Sequence, residues 1–154
     1  MGFADSAVYL FLAEMGYITD IEAMAIDRKK AAAFFKSELY SRIKNAGEKV
    51  WREKKFMVAL AQLDLNEELL SSFRNSDGMI KGIADLLFEE DGEIIIVDYK
   101  SDRGISEKHL CEKYKMQLML YKAAIELTCK KKVKQTYLYS FELCKAVEIE
   151  IEQV

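Results

Sequence analysis

The chain has 154 residues and carries 23 lysines and arginines against 26 aspartates and glutamates, a net charge of -3. This length suits one domain with its own core, and 51% hydrophobic with 32% charged residues excludes a disordered chain. No stretch approaches the roughly 20 apolar residues of a membrane helix, and the first 15 residues lack the basic start of a signal peptide. Composition therefore predicts a cytoplasmic protein that does not span a membrane.

The N-terminal part is predicted to be helical. Asp27 is a favourable N-cap residue for a helix that runs to about Ala46, where Gly47 ends it. We expect one domain over residues 1–154, with a helical part at 1–47 and a sheet-bearing core at 48–154. The apolar stripe predicted for the helix consists of Ala32, Phe35, Leu39 and Ile43.

Three strands are predicted next. Lys49 to Leu60 has the composition of a first strand, and the polar stretch from Asp64 to Asp77 predicts a connection with one short helical turn. Ile80 to Phe88 and Glu93 to Lys100 are rich in β-branched and aromatic residues. They are therefore predicted to pair as a hairpin.

The hairpin predicts where three charged side chains lie. Asp91-Gly92 is a strong signal for a two-residue type I′ turn, and this turn places Asp85 directly opposite Asp98. Because side chains alternate along a strand, Asp98 and Lys100 share a face with Asp85. The same face is predicted to carry the apolar side chains Ile83, Leu87, Ile94 and Ile96.

This mixture of apolar and acidic side chains suggests a metal site. An isolated Asp-x-Lys is more often the solvated face of a hairpin, but here the apolar neighbours should cover the acids, which then need a compensating cation. Mg²⁺ and Mn²⁺ prefer hard oxygen ligands such as Asp85 and Asp98. Lys100 would lie where a cation orients an attacking water or stabilises a phosphate in its transition state.

The C-terminal part predicts a helix and two strands. Gly104 breaks the chain, and Ser106 with Glu107 begins a helix. Lys134 to Glu142 and Ala146 to Ile151 alternate as strands, the second at a sheet edge. The order of elements predicts an α/β fold with a mixed central sheet flanked by helices. The buried stripe predicted for the helix consists of Leu110, Tyr114, Leu118, Tyr121 and Ile125.

These residues carry a family resemblance. Asp85 followed by Asp98-Tyr-Lys100, with Gln117-Leu-Met-Leu-Tyr121 on the later helix, resembles the restriction-endonuclease-like core of RecB-type PD-(D/E)xK nucleases. The sequences 98–103 and 114–121, together with Arg-Glu-Lys-Lys-Phe at 52–56, are most similar to the C-terminal nuclease region of AddA-type helicase-nucleases. The resemblance covers roughly residues 16 to 143. Apart from this resemblance, the charge pair Arg52-Glu53 is interpreted as a solvated pair on a strand.

The resemblance implies a reaction and a role for each residue. It implies a metal-dependent deoxyribonuclease, an exonuclease that hydrolyses phosphodiester bonds of single strands. Asp85 and Asp98 would bind Mg²⁺, with Mn²⁺ as the alternative, and Lys100 would position or activate the attacking water. Gln117 and Tyr121 would order the catalytic site and contact the DNA backbone.

The resemblance also implies partners and an incomplete chain. Such nucleases are parts of larger ATP-dependent helicases that process double-strand ends for recombinational repair, receive a single strand from the helicase and assemble with an AddB-type subunit. Their upstream Gly-x-x-x-His element is missing, because the single histidine, His109, lies at the start of the later helix and is expected to be exposed. We therefore expect a fragment with weakened metal affinity. Three cysteines are too few for the iron-sulfur cluster of AddB-like nucleases.

DNA binding must be local, because the net charge gives no general attraction. Lys130 to Lys134 form a candidate basic patch, but a solvated helix end is the favoured interpretation of this segment. Arg103, next to Asp98 and Lys100 in the chain, is the better placed phosphate contact. Two other functions remain open. One is a non-catalytic or weakly active scaffold that binds DNA or a partner protein. The other is a stand-alone single-strand exonuclease, which would need a DNA-binding surface that the charge balance does not supply.

Overall fold

The computed structural model describes residues 27–65 and 78–151. Within them, five strands form one mixed sheet with one parallel pair of neighbours and three antiparallel pairs, which confirms the predicted α/β fold with a mixed sheet. The strands lie side by side in chain order. The elements are α1 (Arg28–Phe35), α2 (Glu38–Asn45), β1 (Val50–Ala59), a 3-10 turn (Leu60–Gln62), β2 (Met79–Glu90), β3 (Glu93–Lys100), α3 (Glu107–Cys129), β4 (Val133–Ser140) and β5 (Lys145–Glu148).

Two helices replace the single helix predicted for residues 27–46, so that prediction was wrong. Asp27 caps α1 as expected, but Ser37 caps a second helix, since its hydroxyl accepts a hydrogen bond from the Tyr40 N–H at 3.1 Å. The same hydroxyl donates to the Phe34 carbonyl at 2.6 Å. A serine that bonds the backbone on both sides breaks a helix. The break changes the buried stripe, which consists of Ala31, Phe34, Leu39 and Ile43.

The hairpin of β2 and β3 has the predicted register. Asp91 and Gly92 have φ values of 55° and 84°, as a type I′ turn requires. The paired positions run from Glu90 and Glu93 to Leu86 and Val97 and stop there. The direct pairing predicted for the next two residues, Asp85 and Asp98, is therefore not part of the ladder.

The alternation of β2 breaks at Asp85. Ala84 and Leu87 both belong to the apolar cluster under α3, although strict alternation would place them on opposite faces. On the neighbouring strand β1, Glu53 has φ 49° at the one position where the β1–β2 pairing is interrupted. Because of this irregularity Ile83 is 47% exposed, so the prediction that it covers the acids was wrong.

Helices cover both faces of the sheet. One apolar cluster joins α3 to Leu87, Ile94 and Ile96, and the other joins α1 and α2 to the opposite face of β2 and β3. Ser106 caps α3 as predicted, and Tyr114 and Tyr121 of its predicted stripe are half-buried. β4 and β5 end earlier than predicted, and β5 is an edge strand as expected. Across the described ranges, none of the helices has the length and apolar character needed to cross a membrane.

Candidate active site

Asp98 lies on a central strand and is almost completely buried, with 2% of its surface exposed. Burial raises the pKa of its carboxyl group, while the Lys100 ammonium opposes the rise and the negative charge of Asp85 adds to it. Lys100 Nζ lies 2.5 Å from Asp98 Oδ2, yet this buried oxygen has no aligned hydrogen bond. Asp98 is therefore a desolvated carboxylate with one charge partner and one oxygen that can accept a further ligand.

Gln117 joins this carboxylate to the lysine. Its Nε2 donates to Asp98 Oδ1 at 3.4 Å, and its Oε1 accepts from Lys100 Nζ at 3.3 Å. The side chain comes from α3, which is fixed on the sheet by the fully buried neighbour Leu118. The structure thus brings three of the predicted site residues into contact.

Asp85 lies on β2, one residue beyond the last position that pairs with β3. Its Oδ2 accepts the backbone N–H of Tyr99 at 2.8 Å, so the carboxylate takes the place of a main-chain partner where the ladder stops. Tyr99 directly follows Asp98 in the chain, so this bond places the Asp85 carboxylate beside the segment that carries Asp98. The contact is made through a side-chain bond and not through a direct strand pair.

Tyr121 lies one helical turn beyond Gln117, in an apolar layer. Its ring packs edge-on against Phe56 of β1, with 5.1 Å between the ring centroids. Phe56 in turn occupies the space above Gly82, where an added Cβ would come within 2.3 Å of the ring. The catalytic role of Tyr121 stays a prediction, and its described contacts are those of a packing residue.

Tyr114 and Asp102 lie beside the site, and the sequence analysis did not assign them to it. Lys100 Nζ lies 3.9 Å from the centroid of the Tyr114 ring. The Tyr114 hydroxyl donates to Asp102 Oδ1 and Oδ2 at 3.0 and 2.9 Å, and Lys113 Nζ lies 2.5 Å from Oδ1. A tyrosine one turn before Gln117 was a usable signal, because residues three apart share a helical face.

The four lysines of the segment Lys130 to Lys134 are exposed at the end of α3, as expected for a solvated helix end. Three of them also pair with acids around the hairpin turn, so much of the charge of the segment is balanced within the fold. The pairs are Lys131 with Glu89, Lys132 with Glu93, and Lys134 with both Glu90 and Asp91.

Two other predicted residues lie on the surface. Arg103 is exposed. Hydrogen bonds from Lys30 and from the Gly104 N–H lower the pKa of Glu142, and the charge of Arg103 contributes least to this shift. The role of Arg103 as a phosphate contact stays a prediction. His109 is exposed as expected, with its Nδ1 3.2 Å from the Ser106 hydroxyl oxygen.

The donor set fits a hard divalent cation. A buried carboxylate oxygen without an aligned hydrogen bond, on Asp98, stands near a second carboxylate on Asp85. Among the residues that the structure describes, no group of three or more His, Cys, Asp or Glu side chains is arranged to hold a metal. Two carboxylates are the protein ligand number that Mg²⁺ commonly has when water and phosphate oxygens complete its shell.

Comparison with known proteins gives a consistent set of matches. A family model described as the PD-(D/E)XK nuclease superfamily matches residues 10–152. The chain is similar to the AddA subunit of the ATP-dependent helicase/nuclease of Clostridium botulinum, with 38% identity over 90% of this chain and 11% of that protein. The corresponding proteins from Clostridium beijerinckii and Clostridium acetobutylicum are 37% and 34% identical over 90% and 86% of this chain. The chain spans 12% and 11% of their lengths.

Proposed function

This chain belongs to the PD-(D/E)XK nuclease superfamily, and from that premise we propose that it is a metal-dependent deoxyribonuclease that hydrolyses phosphodiester bonds. The observation that carries the proposal is the buried carboxylate of Asp98, whose Oδ2 lacks an aligned hydrogen bond while Lys100 and Gln117 stand against it. A desolvated acid with a specific charge partner is typical of functional sites.

The proposed roles follow from the contacts. Asp85 and Asp98 would hold Mg²⁺ or Mn²⁺, which when bound supplies Lewis-acid polarisation of the scissile phosphate. Lys100 would orient the attacking water and stabilise the negative charge that develops on the phosphate. Gln117 holds the carboxylate with its amide nitrogen and the ammonium with its amide oxygen, so it fixes the distance between them.

The setting of the reaction is proposed from the relatives. Because they are named as parts of an ATP-dependent helicase/nuclease, we propose that this domain cleaves a single strand delivered by a helicase, as an exonuclease in recombinational repair of double-strand ends. Residues 1–154 would form one nuclease domain of such a protein in the cytoplasm, and an AddB-type subunit would be its partner. This setting would explain how a chain with a net charge of -3 meets DNA.

A nuclease assay tests the proposal. Single-stranded and double-stranded DNA would be incubated with the chain in Mg²⁺ or Mn²⁺, alone and joined to the helicase part of a relative. Asp98→Asn should abolish cleavage in both forms. Glu90→Gln is the matched control, because Glu90 is a carboxylate of the same hairpin that pairs with Arg42 outside the site. Cleavage that survives Asp98→Asn would overturn the proposal, and binding of single strands without cleavage in both forms would favour the scaffold.

A further inference from the structure

We propose that Tyr114 and Asp102 form a clamp that positions Lys100 for the reaction. The inference rests on the proposed function, because it concerns a lysine of that site. Tyr114 belongs to α3, and Asp102 belongs to the loop that leaves β3 two residues after Lys100. The clamp therefore ties the end of the catalytic strand to the helix that carries Gln117.

The geometry of the clamp is specific. An ammonium within about 6 Å of an aromatic centroid is attracted to the negative face of the ring, and Lys100 Nζ lies at 3.9 Å. The hydroxyl at the far end of the same ring bonds both carboxylate oxygens of Asp102. A ring anchored at its backbone and at its hydroxyl has little freedom to turn away from the lysine.

The clamp supplies what the other contacts of Lys100 lack. The ion pair with Asp98 has a short distance but no aligned hydrogen bond, and Asp98 is also the residue proposed to bind the cation. A free lysine side chain samples many rotamers, so holding it in one position costs conformational entropy. Gln117 accepts one of the three N–H donors of the ammonium and the ring attracts its charge, which leaves donors for water or phosphate. Tyr114 thus holds the lysine when the carboxylate is engaged elsewhere.

A spectroscopic experiment tests the position of Lys100 without requiring activity. In the 154-residue chain, the ε-methylene protons of Lys100 should show an upfield ring-current shift in a ¹H–¹³C spectrum, assigned with Lys100→Arg. Tyr114→Leu should remove this shift. Tyr114→Phe and Asp102→Asn, which keep the ring but remove or weaken the bond that anchors its hydroxyl, should both reduce it. An unshifted Lys100 signal in the wild-type chain overturns the clamp.

Kinetics then separate positioning from mere structural support. Tyr114→Leu should lower kcat by about ten- to a hundredfold with little change in KM, as misplacement of a reacting group does. Tyr114→Phe, which keeps the ring without its hydroxyl anchor, should lose less than Tyr114→Leu and about as much as Asp102→Asn. Tyr137→Leu is the matched control, because Tyr137 is a half-buried tyrosine that contacts Arg42 and Glu148. An unchanged kcat in Tyr114→Leu, or an equal loss in Tyr137→Leu, overturns the clamp.

A double-mutant cycle distinguishes this inference from the proposed function. In a Lys100→Met background, Tyr114→Leu should cost no further activity, because residues that act through one another are not additive. Full activity in Lys100→Met would overturn the role of Lys100 itself. An inactive Lys100→Met beside a fully active Tyr114→Leu would overturn the clamp alone.

Discussion

Carboxylates cluster at both ends of the β2–β3 hairpin, but their charged partners and their burial differ between the two ends. Around the turn, each acid meets at least one cation from α2 or from the segments around the starts of β1 and β4. At the open end, Asp85 and Asp98 converge under α3 with Lys100 as the ammonium in contact with Asp98. The turn-end acids are Glu89, Glu90, Asp91 and Glu93, and their partners are Arg42, Lys49, Lys131, Lys132 and Lys134.

The difference shows in the direction of the pKa shifts. Hydrogen bonds from Arg42 lower the pKa of Glu90 to about 2, whereas burial raises the pKa of Asp98. Carboxylates that stabilise a fold are held in their charged form by close partners, and carboxylates prepared for a ligand are desolvated before that ligand arrives. The same hairpin therefore separates an end with paired acids from the end that carries the proposed active site.

The largest expected effect is on cleavage and comes from the open end. Asp98→Asn should lower the rate of DNA hydrolysis by about 10³-fold or more, because it removes the charge that the proposed cation requires. Glu90→Gln should change the rate less than about twofold, because its contacts lie at the other end of the hairpin. The measurement is the initial rate on single-stranded DNA in Mg²⁺. An equal loss of hydrolysis rate in the two variants would mean that the two ends of the hairpin do not differ in function.

Binding of Mg²⁺ should stabilise the folded chain through the same end. At a concentration of 100 times Kd, a ligand that binds the folded state alone adds about 2.7 kcal/mol to the free energy of unfolding. We expect Tm to rise with Mg²⁺ in the wild-type chain and in Glu90→Gln, and to stay constant in Asp98→Asn. A rise in Tm that persists in Asp98→Asn would place the cation elsewhere.

The turn end should dominate stability in the absence of metal. Arg42 forms two hydrogen bonds to the carboxylate of Glu90, at 3.0 and 2.8 Å, and both side chains are partly buried. Glu90→Gln should lower the free energy of unfolding by about 1 to 2 kcal/mol, since it leaves the guanidinium without its charge partner. Urea denaturation without divalent cations measures this. An unchanged midpoint would mean that solvent screens the pair completely.

The free energy of unfolding at acidic pH should also depend on the pair between Arg42 and Glu90. The folded pKa of Glu90 is about 2, below its ordinary value of 4.5, so the pair stabilises the fold above pH 4.5 and loses that contribution as the pH falls towards 2. After solvent screening, the loss should be about 1 kcal/mol. The difference in unfolding free energy between wild type and Glu90→Gln should shrink over this interval. A constant difference would contradict the assignment.

Local patterns in the sequence predicted the sheet and much of the candidate site. The turn at Asp91-Gly92 determined the register. The family resemblance, and not the helical spacing, singled out Gln117, which contacts Asp98 and Lys100. The break at Ser37 and the irregularity at Asp85 depend on competition between hydrogen bonds that periodicity does not detect.

Long-range charge pairing was also invisible from the sequence. Whether the lysines after α3 face solvent or the hairpin acids depends on β4 lying parallel to β3, which brings the start of β4 beside the turn. Strand pairing between distant segments is not encoded in the local pattern of charges, so the pairs between these lysines and the hairpin acids were not predicted. The contacts of Tyr114 with Lys100 and Asp102 required the packed helix in the same way.

The smallest expected effect concerns that basic segment. Lys134 lies 3.2 Å from both Glu90 and Asp91, so its charge is already engaged within the fold. Lys134→Ala should therefore change the affinity for single-stranded DNA by less than about twofold, whereas removal of a lysine that neutralises a phosphate makes binding weaker and less dependent on salt. Titration of labelled DNA at several salt concentrations measures both quantities. Arg103→Ala is the comparison variant, because Arg103 is exposed and lies close to the proposed site in the chain. If the DNA affinity of Lys134→Ala depends less on salt than that of Arg103→Ala, then Lys134 contacts a phosphate and the turn end of the hairpin binds DNA.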